Sequence, residues 1–183
     1  RVYGVATARP AGLDRWYGTA HAADRPAGAG PLDGRTAEAG GAWHVATGNV
    51  TADDAATQTT ALLDPGTPSG LIHAAFVPEG AGPYGGVAWR ARDASNYWCF
   101  EADEDGVRLS CVEAGTRTVV ASAPSPRCGA GAPHTLQVLD DGRAFSLFLG
   151  GTLAFDRAFE DERFGEATGA GVVFAPGHGA GVD

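Results

Sequence analysis

The sequence predicts an all-β sandwich, and three observations support this prediction. Short apolar runs dominate the chain from residue 70 onward. They follow one another at roughly 8–12 residues per strand and turn, which is typical of all-β sandwiches and barrels. Glycines separate the runs and supply the backbone freedom that tight turns need. Helical periodicity is almost absent, so strands are expected to carry the fold.

Nine apolar runs are predicted as strands: 71–77, 86–92, 96–103, 107–114, 117–123, 134–141, 144–150, 152–159 and 169–175. Four of the connections carry hairpin signals, at 104–106, 114–116, 140–142 and 150–151. Each contains a residue that tolerates a positive φ, as two- and three-residue loops require. The one segment with modest helical character is AFEDERFG, residues 158–165, for which one or two helical turns are expected.

The first 70 residues are rich in Ala, Gly, Asp and Pro and have weak periodicity. Residues 25–35 are a loop by composition. Residues 40–52 are predicted as two strands joined by a turn at Gly48 and Asn49, and residues 62–70 as a further turn. A length of 183 residues suits one domain. We therefore predict a single sandwich domain over 1–183, with residues 1–39 as an irregular segment packed on it.

Composition excludes two classes of partner. The formal net charge is −9, and every fixed cationic side chain is Arg, since the chain has no Lys. This balance argues against binding to a nucleic-acid backbone, which needs clustered basic residues. No run of 18 apolar residues occurs, so no membrane span is expected. The 28 Gly, the abundant Ala and the missing Lys indicate a high-GC bacterial genome such as that of an actinobacterium.

The three cysteines are Cys99, Cys111 and Cys128, and no CxxC pair suggests a zinc site. They are either buried thiols or one disulfide plus a free thiol, and the disulfide is favoured for an extracellular chain. A three-residue loop at 104–106 would place Cys99 opposite Cys111. A two-residue loop at 105–106 would instead place Cys99 opposite Val112 and give a better apolar face. In that register Cys128 becomes a candidate partner for either of the other two.

The segment FEADEDG, residues 100–106, holds four acids in seven positions. In a strand, Glu101, Asp103 and Asp105 would share one face, because side chains alternate. Asp105 is followed directly by Gly106, and Asp-Gly is a hairpin turn signal. The segment is therefore predicted to be the solvated tip of a hairpin, where burial is too slight to raise the pKa of a carboxyl group.

A series of motifs runs through the C-terminal two-thirds of the chain. Arg90 ends a Gly-rich strand, Asp93 and Asn96 enclose a turn, and Tyr97 begins an aromatic strand. Residues 134–175 continue with a strand, an Asp-Gly turn, a second strand, an acid-and-Phe stretch and a final Gly-rich strand. This order resembles the concanavalin A-like jelly-roll domains, which include laminin-G-like and lectin- and glucanase-like modules of secreted bacterial proteins. The resemblance covers about residues 40–183.

The resemblance implies two antiparallel sheets packed face to face, one of them concave. Bacterial members commonly bind carbohydrate, often with a structural calcium, and others mediate adhesion or hydrolyse glycans. The hydrolases carry Glu-x-Asp-x-(x)-Glu on one strand, whereas the third acid here is Asp105. Family members often have a further strand where this sequence stops, at 181–183, so either a shortened last strand or a fragment of a longer chain is expected.

These observations favour a non-catalytic module, secreted or at the cell surface, that binds carbohydrate or a cell-surface glycan. The candidate ligand-binding residues, expected to be exposed near the concave face or its loops, are Arg90, Arg92, Asn96, Tyr97, Glu101 and Tyr84. The candidate calcium ligands are Asp183 and Asp93, since Ca²⁺ prefers oxygen donors. Two alternatives remain open: a structural or protein-interaction domain of a larger surface assembly, and a glycoside hydrolase.

Overall fold

The computed structural model describes residues 30–31, 37–39, 43–46, 49–52, 59–76, 83–125 and 134–174, with side chains for 60–76, 85–125 and 134–174. In chain order its strands are β1 Gly30–Pro31, β2 Ala37–Ala39, β3 Trp43–Ala46, β4 Asn49–Ala52, β5 Thr59–Leu63, β6 Gly70–Phe76, β7 Pro83–Asp93, β8 Asn96–Asp103, β9 Gly106–Glu113, β10 Thr116–Pro124, β11 His134–Asp140, β12 Ala144–Leu149, β13 Thr152–Leu153, β14 Phe159–Glu160 and β15 Gly169–Phe174. Within these ranges every regular element is a strand. The described residues contain no helix long and apolar enough to cross a membrane.

The strands form two main sheets, the larger sheet and the smaller sheet, and a separate sheet of three strands. The larger sheet has seven strands in the order β10-β9-β8-β7-β15-β5-β2. The smaller sheet has the order β13-β12-β11-β6, with β14 also paired to β12. Strands β1, β3 and β4 make a separate three-stranded sheet. All described strand pairs are antiparallel. The predicted two-sheet antiparallel sandwich is confirmed.

An aromatic core fills the space between the inner faces of the larger and smaller sheets. Trp89 of β7 and Trp98 of β8 are each 1% exposed, and their rings stack with centroids 6.2 Å apart. Phe145 of β12 lies 5.1 Å from both indole rings. Each such ring buries about 150–250 Å². These contacts join the two sheets, and both tryptophans are core residues.

The β8–β9 hairpin has a register that differs from both expectations. Its two-residue loop is Glu104 and Asp105, and Asp103 pairs with Gly106. The Asp103 Oδ1 atom accepts hydrogen bonds from the backbone N–H groups of Asp105 and Gly106, each at 3.0 Å. This Asp-centred turn closes the strand one residue earlier than the Asp-Gly signal suggests. Both predicted loops, 104–106 and 105–106, are therefore wrong.

The cysteine pairing follows from this register. Cys99 pairs with Ser110 across the ladder, whereas Cys111 pairs with Trp98. Since neighbouring positions of a strand point to opposite faces, Cys111 enters the core and Cys99 faces the other side of the sheet. Both are buried free thiols, so a Cys99–Cys111 disulfide is ruled out by geometry. Cys128 lies outside the described residues.

The segment 158–165 is not helical. Phe159 forms a strand pair with Phe145, Arg90 donates to the Asp161 carbonyl at 2.5 Å, and Phe164 has a φ of +57°. These contacts fix the segment as a bridge followed by a turn, and they override its weak helical pattern. The predicted strand 152–159 is likewise divided into β13 and β14.

Strands β6, β11, β12 and β13 of the smaller sheet carry no charged side chain on their outward face among the described residues, whereas Glu160 of β14, paired with Ala144, lies exposed at the edge of this face. Burial alternates along β11 and β12, which identifies the outward positions. Leu139 and Leu153 are 42% and 51% exposed there, and Phe148, Gln137 and His73 are half-buried beside them. We call this surface the charge-free face.

Candidate functional site

The candidate site lies on the outer face of the larger sheet, the face turned away from the core, where β8, β9 and β10 run side by side. Glu101 and Asp103 project from alternate positions of β8, and Arg108 lies opposite Glu101 on β9. Arg117 on β10 pairs with Val112 and shares this face. We call Glu101, Asp103, Arg108 and Arg117 the arginine–carboxylate rim.

Two ion pairs organise the rim. Arg117 pairs with Glu101, and Arg108 pairs with Asp103. The guanidinium-bearing side chains are 29% and 46% exposed, whereas both carboxylate side chains are only 11% exposed. The arginines therefore form the accessible part of the rim, and the carboxylates lie beneath them. Each arginine thus presents donors to solvent next to a carboxylate that can accept.

Two polar atoms of β9 and β10 on this face have no hydrogen-bond partner among the described residues. They are the Ser110 Oγ atom and the Arg117 Nη2 atom, and both are buried. Ser110 pairs with Val119 on β10, so the two atoms lie on neighbouring strands. A buried polar atom without a partner costs free energy, and such atoms often mark the place of a bound polar group. Since both atoms are buried, a ligand would reach the rim through the exposed parts of Arg108 and Arg117.

The part of the outer face beside the rim is closed and mostly apolar. Tyr97, Cys99 and Val112 are buried there with Ala88 and Val173. Burial raises the pKa of the Tyr97 hydroxyl and of the Cys99 thiol well above their usual values. Both groups stay protonated at neutral pH, so neither supplies a charge or a nucleophile to the site.

Two candidate ligand-binding residues are buried where exposure was expected. Arg90 has a φ of +47° within the irregular stretch between Trp89 and Asp93, and this directs its guanidinium into a buried ion pair with Asp140. Tyr97 packs in the closed part of the outer face. The expectation of exposure is wrong for both, because alternation along β7 is interrupted and the outer face is itself covered at Tyr97.

Glu101 is also more buried than expected, because its carboxylate lies beneath the Arg117 side chain with which it pairs. It does lie on the outer face of the larger sheet, as proposed from the sequence. Asp103 is equally buried, so only Glu104 and Asp105 form the solvated hairpin tip. The sequence interpretation of all four acids as tip residues is therefore wrong for Glu101 and Asp103.

Arg92, Asp93 and Asn96 lie at the opposite end of β8 from the rim. Arg92 is exposed, with its guanidinium 5.0 Å from the Phe164 ring centroid. The Asp93 Oδ1 atom accepts from the Ser95 backbone N–H at 2.7 Å and from the Asn96 side chain at 3.0 Å. Asp93 and Asn96 thus build the β7–β8 turn, and the structure does not bring them to the rim. The side chain of Tyr84 lies outside those described.

Of the two predicted calcium ligands, one lies within the described residues. Asp93 is exposed and committed to its turn, while Asp183 lies outside the described residues. No group of three or more His, Cys, Asp or Glu side chains within the described ranges is placed to hold a metal ion.

A polar cavity of about 450 Å³ lies beside the β14–β15 loop and is lined by Arg143, Glu160, Asp161, Glu162 and Arg163. The most buried charged side chains at this cavity form ion pairs with one another. Arg163 donates to Asp161 at 2.8 Å and to Glu113 at 3.0 Å, and its guanidinium covers the Trp98 ring at 4.7 Å. Hydrogen bonding to Arg163 lowers the pKa of Asp161. The cavity is therefore lined by a structural ion-pair network and is not the leading candidate site.

Comparison with known proteins bears on the fold. No protein-family model and no curated protein matches the chain. Among solved structures, the carbohydrate binding module CBM66 from Bacillus subtilis superimposes with a TM-score of 0.65 at 16% identity, over 80% of this chain and 89% of the module. An endo-β-1,3-glucanase from Pyrococcus furiosus gives 0.54 at 10% identity, over 87% and 85% of the two chains. The Emp46p carbohydrate recognition domain gives 0.53 at 13% identity, over 80% and 84%.

The chain has the concanavalin A-like lectin and glucanase fold. The structural resemblance stated from the sequence is thereby confirmed. At these identities the likeness establishes the fold of this concanavalin A-like sandwich and not its function.

Three members of the rim were missed by sequence reasoning: Asp103 as a buried acid, Arg108 and Arg117. A signal was present, because GVRLSCVE alternates and places Arg108 and Ser110 on one face. Recognising the site from this alternation requires the register of β8 against β9. That register depends on the turn at Asp103 and cannot be read from the alternation of residues. Because the site residues come from three strands of this concanavalin A-like sandwich, they can be identified only when the pairing of those strands is known.

Proposed function

We propose that the protein is a non-catalytic carbohydrate-binding module, secreted or at the cell surface, whose arginine–carboxylate rim binds a glycan. The observation that carries the proposal is the rim itself, in which exposed guanidinium donors stand beside carboxylate acceptors. A sugar presents neighbouring hydroxyl groups that both donate and accept, so adjacent donors and acceptors match it. The Arg108 and Arg117 side chains are 46% and 29% exposed, so a ligand at the surface can reach their N–H donors.

Two of the structural neighbours are named as carbohydrate-binding proteins, which supports this proposal. CBM66 is a carbohydrate binding module, and the Emp46p domain is a carbohydrate recognition domain. The glucanase neighbour supports hydrolysis less well for this chain. Retaining hydrolysis needs one carboxyl group as nucleophile and one as acid, about 5–5.5 Å apart. Glu101 and Asp103 each form an ion pair with an arginine, so neither carboxyl group is placed as the proton-donating acid.

A glycan array with the purified protein tests this function, in calcium and in EDTA. We expect saturable binding to one glycan class, weakened about tenfold or more by Arg117→Gln. Arg143→Gln is the matched control, because Arg143 is largely exposed and lies away from the rim. Loss of binding in EDTA would support the proposed calcium ligands. Release of reducing ends from the bound glycan would contradict a non-catalytic role.

The charge-free face favours a second function, as a contact surface in a larger assembly. Contiguous exposed apolar surface commonly marks an interface. On this face, strands β6, β11, β12 and β13 offer no charge for a charged partner to pair with, and a second copy would bring an identical apolar face, so we propose a second copy as the occupant. Sedimentation should then show a dimer that Leu139→Asp disrupts, whereas a monomer at all concentrations would exclude this function.

A further inference from the structure

We infer that the arginine–carboxylate rim selects uncharged glycans and discriminates against acidic ones such as uronates. This inference rests on the proposed function and names its ligand class. It starts from the charges around the site. Arg108 and Arg117 are the cations of the rim, and Glu101 and Asp103 balance them. Glu104 and Asp105 follow directly at the exposed hairpin tip.

The described charges at this end of β8 and β9 are therefore two guanidinium groups against four carboxylates. An anionic sugar approaching the rim meets a negative local field. The whole chain adds to it, with a formal net charge of −9. Like charges in this arrangement slow encounter and weaken binding, and salt screens the effect over a Debye length of about 10 Å at 0.1 M.

The contacts within the rim act in the same direction. A ligand carboxylate bound by Arg117 would share one guanidinium with Glu101, and the two negative charges would repel each other. A sugar hydroxyl carries no charge, so it can accept from an exposed N–H group of Arg108 while both ion pairs stay intact.

The experiment compares each of several neutral polysaccharides with its own carboxymethyl derivative, so that backbone chemistry is matched and charge differs. Suitable probes are dextran, a β-1,3-glucan, xylan and galactan. Affinity electrophoresis or calorimetry is run at low and at physiological salt. We expect at least one neutral form to bind about tenfold tighter than its carboxymethyl derivative at low salt, with the ratio narrowing as salt rises.

Two substitutions locate the effect. Glu101→Gln removes one negative charge from the rim and leaves Arg117 without its carboxylate partner, so the neutral-to-acidic ratio should narrow several-fold. Glu160→Gln makes the same chemical change at an exposed site outside the rim and should leave the ratio as in the wild type. If Glu101→Gln does not fold, Asp103→Asn removes the same charge from the second ion pair.

The outcomes separate the two proposals. Equal or tighter binding of the carboxymethyl forms by the wild-type protein would overturn the selectivity and leave carbohydrate binding intact. Equal ratios for the rim variants and for Glu160→Gln would show that the rim does not set the selectivity, which also overturns the inference. Failure of every polysaccharide and every array glycan to bind would overturn the proposed function, and the inference with it.

Discussion

The ion pair between Arg90 and Asp140 links the two large sheets at the level of single residues. Arg90 Nε lies 2.6 Å from Asp140 Oδ2, and Nη2 lies 2.7 Å from Oδ1, so the contact is bidentate. Both side chains are fully buried. The same guanidinium also reaches the Asp161 carbonyl and lies 5.3 Å from the Phe145 ring centroid. One arginine thus holds β7, β11 and the β14–β15 loop together.

We predict that Arg90→Met lowers the free energy of unfolding by about 3–5 kcal/mol, because it leaves the Asp140 carboxylate buried without a cation. Urea titration followed by tryptophan fluorescence measures the change. Arg143→Met, at a largely exposed arginine, should change stability by no more than about 0.5 kcal/mol. A loss under about 1 kcal/mol for Arg90→Met would show that the pair contributes little.

We predict that neither Cys99 nor Cys111 reacts with a thiol reagent in the folded protein at pH 8. Both are buried, and burial raises the pKa of Cys111 to about 11, so almost no thiolate is present. The Cys128→Ser variant isolates these two residues. Titration with a chromogenic disulfide should find no reactive thiol before denaturation and both thiols after it. Missing thiols after denaturation, restored by reductant, would reveal a disulfide and contradict the register.

At the scale of elements, the β8–β9 hairpin decides where the rim lies. Its register places Glu101, Asp103 and Arg108 on the outer face and Trp98 and Phe100 in the core. A shift of one residue would exchange these two faces. The turn that prevents such a shift depends on one side-chain oxygen, Asp103 Oδ1. The same aspartate pairs with Arg108, so turn geometry and rim charge share a residue.

Two substitutions at Asp103 separate its roles in the turn and in the ion pair. Asp103→Asn keeps an oxygen for the two backbone N–H groups and loses only the charge, so we expect a loss of at most about 1 kcal/mol. Asp103→Ala removes both hydrogen bonds and should cost about 1.5–3 kcal/mol. Chemical denaturation gives both values. Equal losses for the two variants would show that the ion pair, and not the turn, stabilises the hairpin.

The strands themselves were largely predictable, and their pairings were not. Runs such as NYWCFEAD carry aromatic residues between clear turn signals, and β8 has the predicted bounds 96–103. Strand β5, Thr59–Leu63, was missed because its C-terminal part was read as the start of the turn at 62–70. Arg90 was misplaced because a positive φ in an irregular stretch cannot be read from alternation. Such features depend on contacts with residues distant in sequence.

On the scale of the whole molecule, the charge distribution is uneven. The larger sheet carries the ion-paired rim, whereas the outward residues of β6, β11, β12 and β13 are uncharged. His73 lies on that charge-free face opposite Gln137, and burial lowers the pKa of its imidazole. No charged side chain on the described strands β6, β11, β12 and β13 of that face can offset a proton on His73.

The position of His73 predicts a pH dependence of stability. Below the usual histidine pKa of 6.5, the unfolded chain binds a proton at this residue while the folded protein resists it. Stability should therefore be full above pH 6.5 and fall as the pH drops below it, by at most about 1.4 kcal/mol per pH unit. Urea melts at pH 7.5 and 5.5 test this. The wild type should lose more stability than His73→Gln, and identical losses would contradict the assignment.

The insertion of β15 into the larger sheet governs when that sheet can be completed. Strand β15 lies between β5 and β7, so Thr60 pairs with Val173 across more than half of the chain. Until residues 169–174 have been synthesised, β5 and β7 have no strand to join them. Closing so long a loop is slow, and proteins with such distant pairings fold in milliseconds to seconds. A nascent chain that ends before β15 therefore exposes unpaired strand edges, and holding them apart is a task for chaperones.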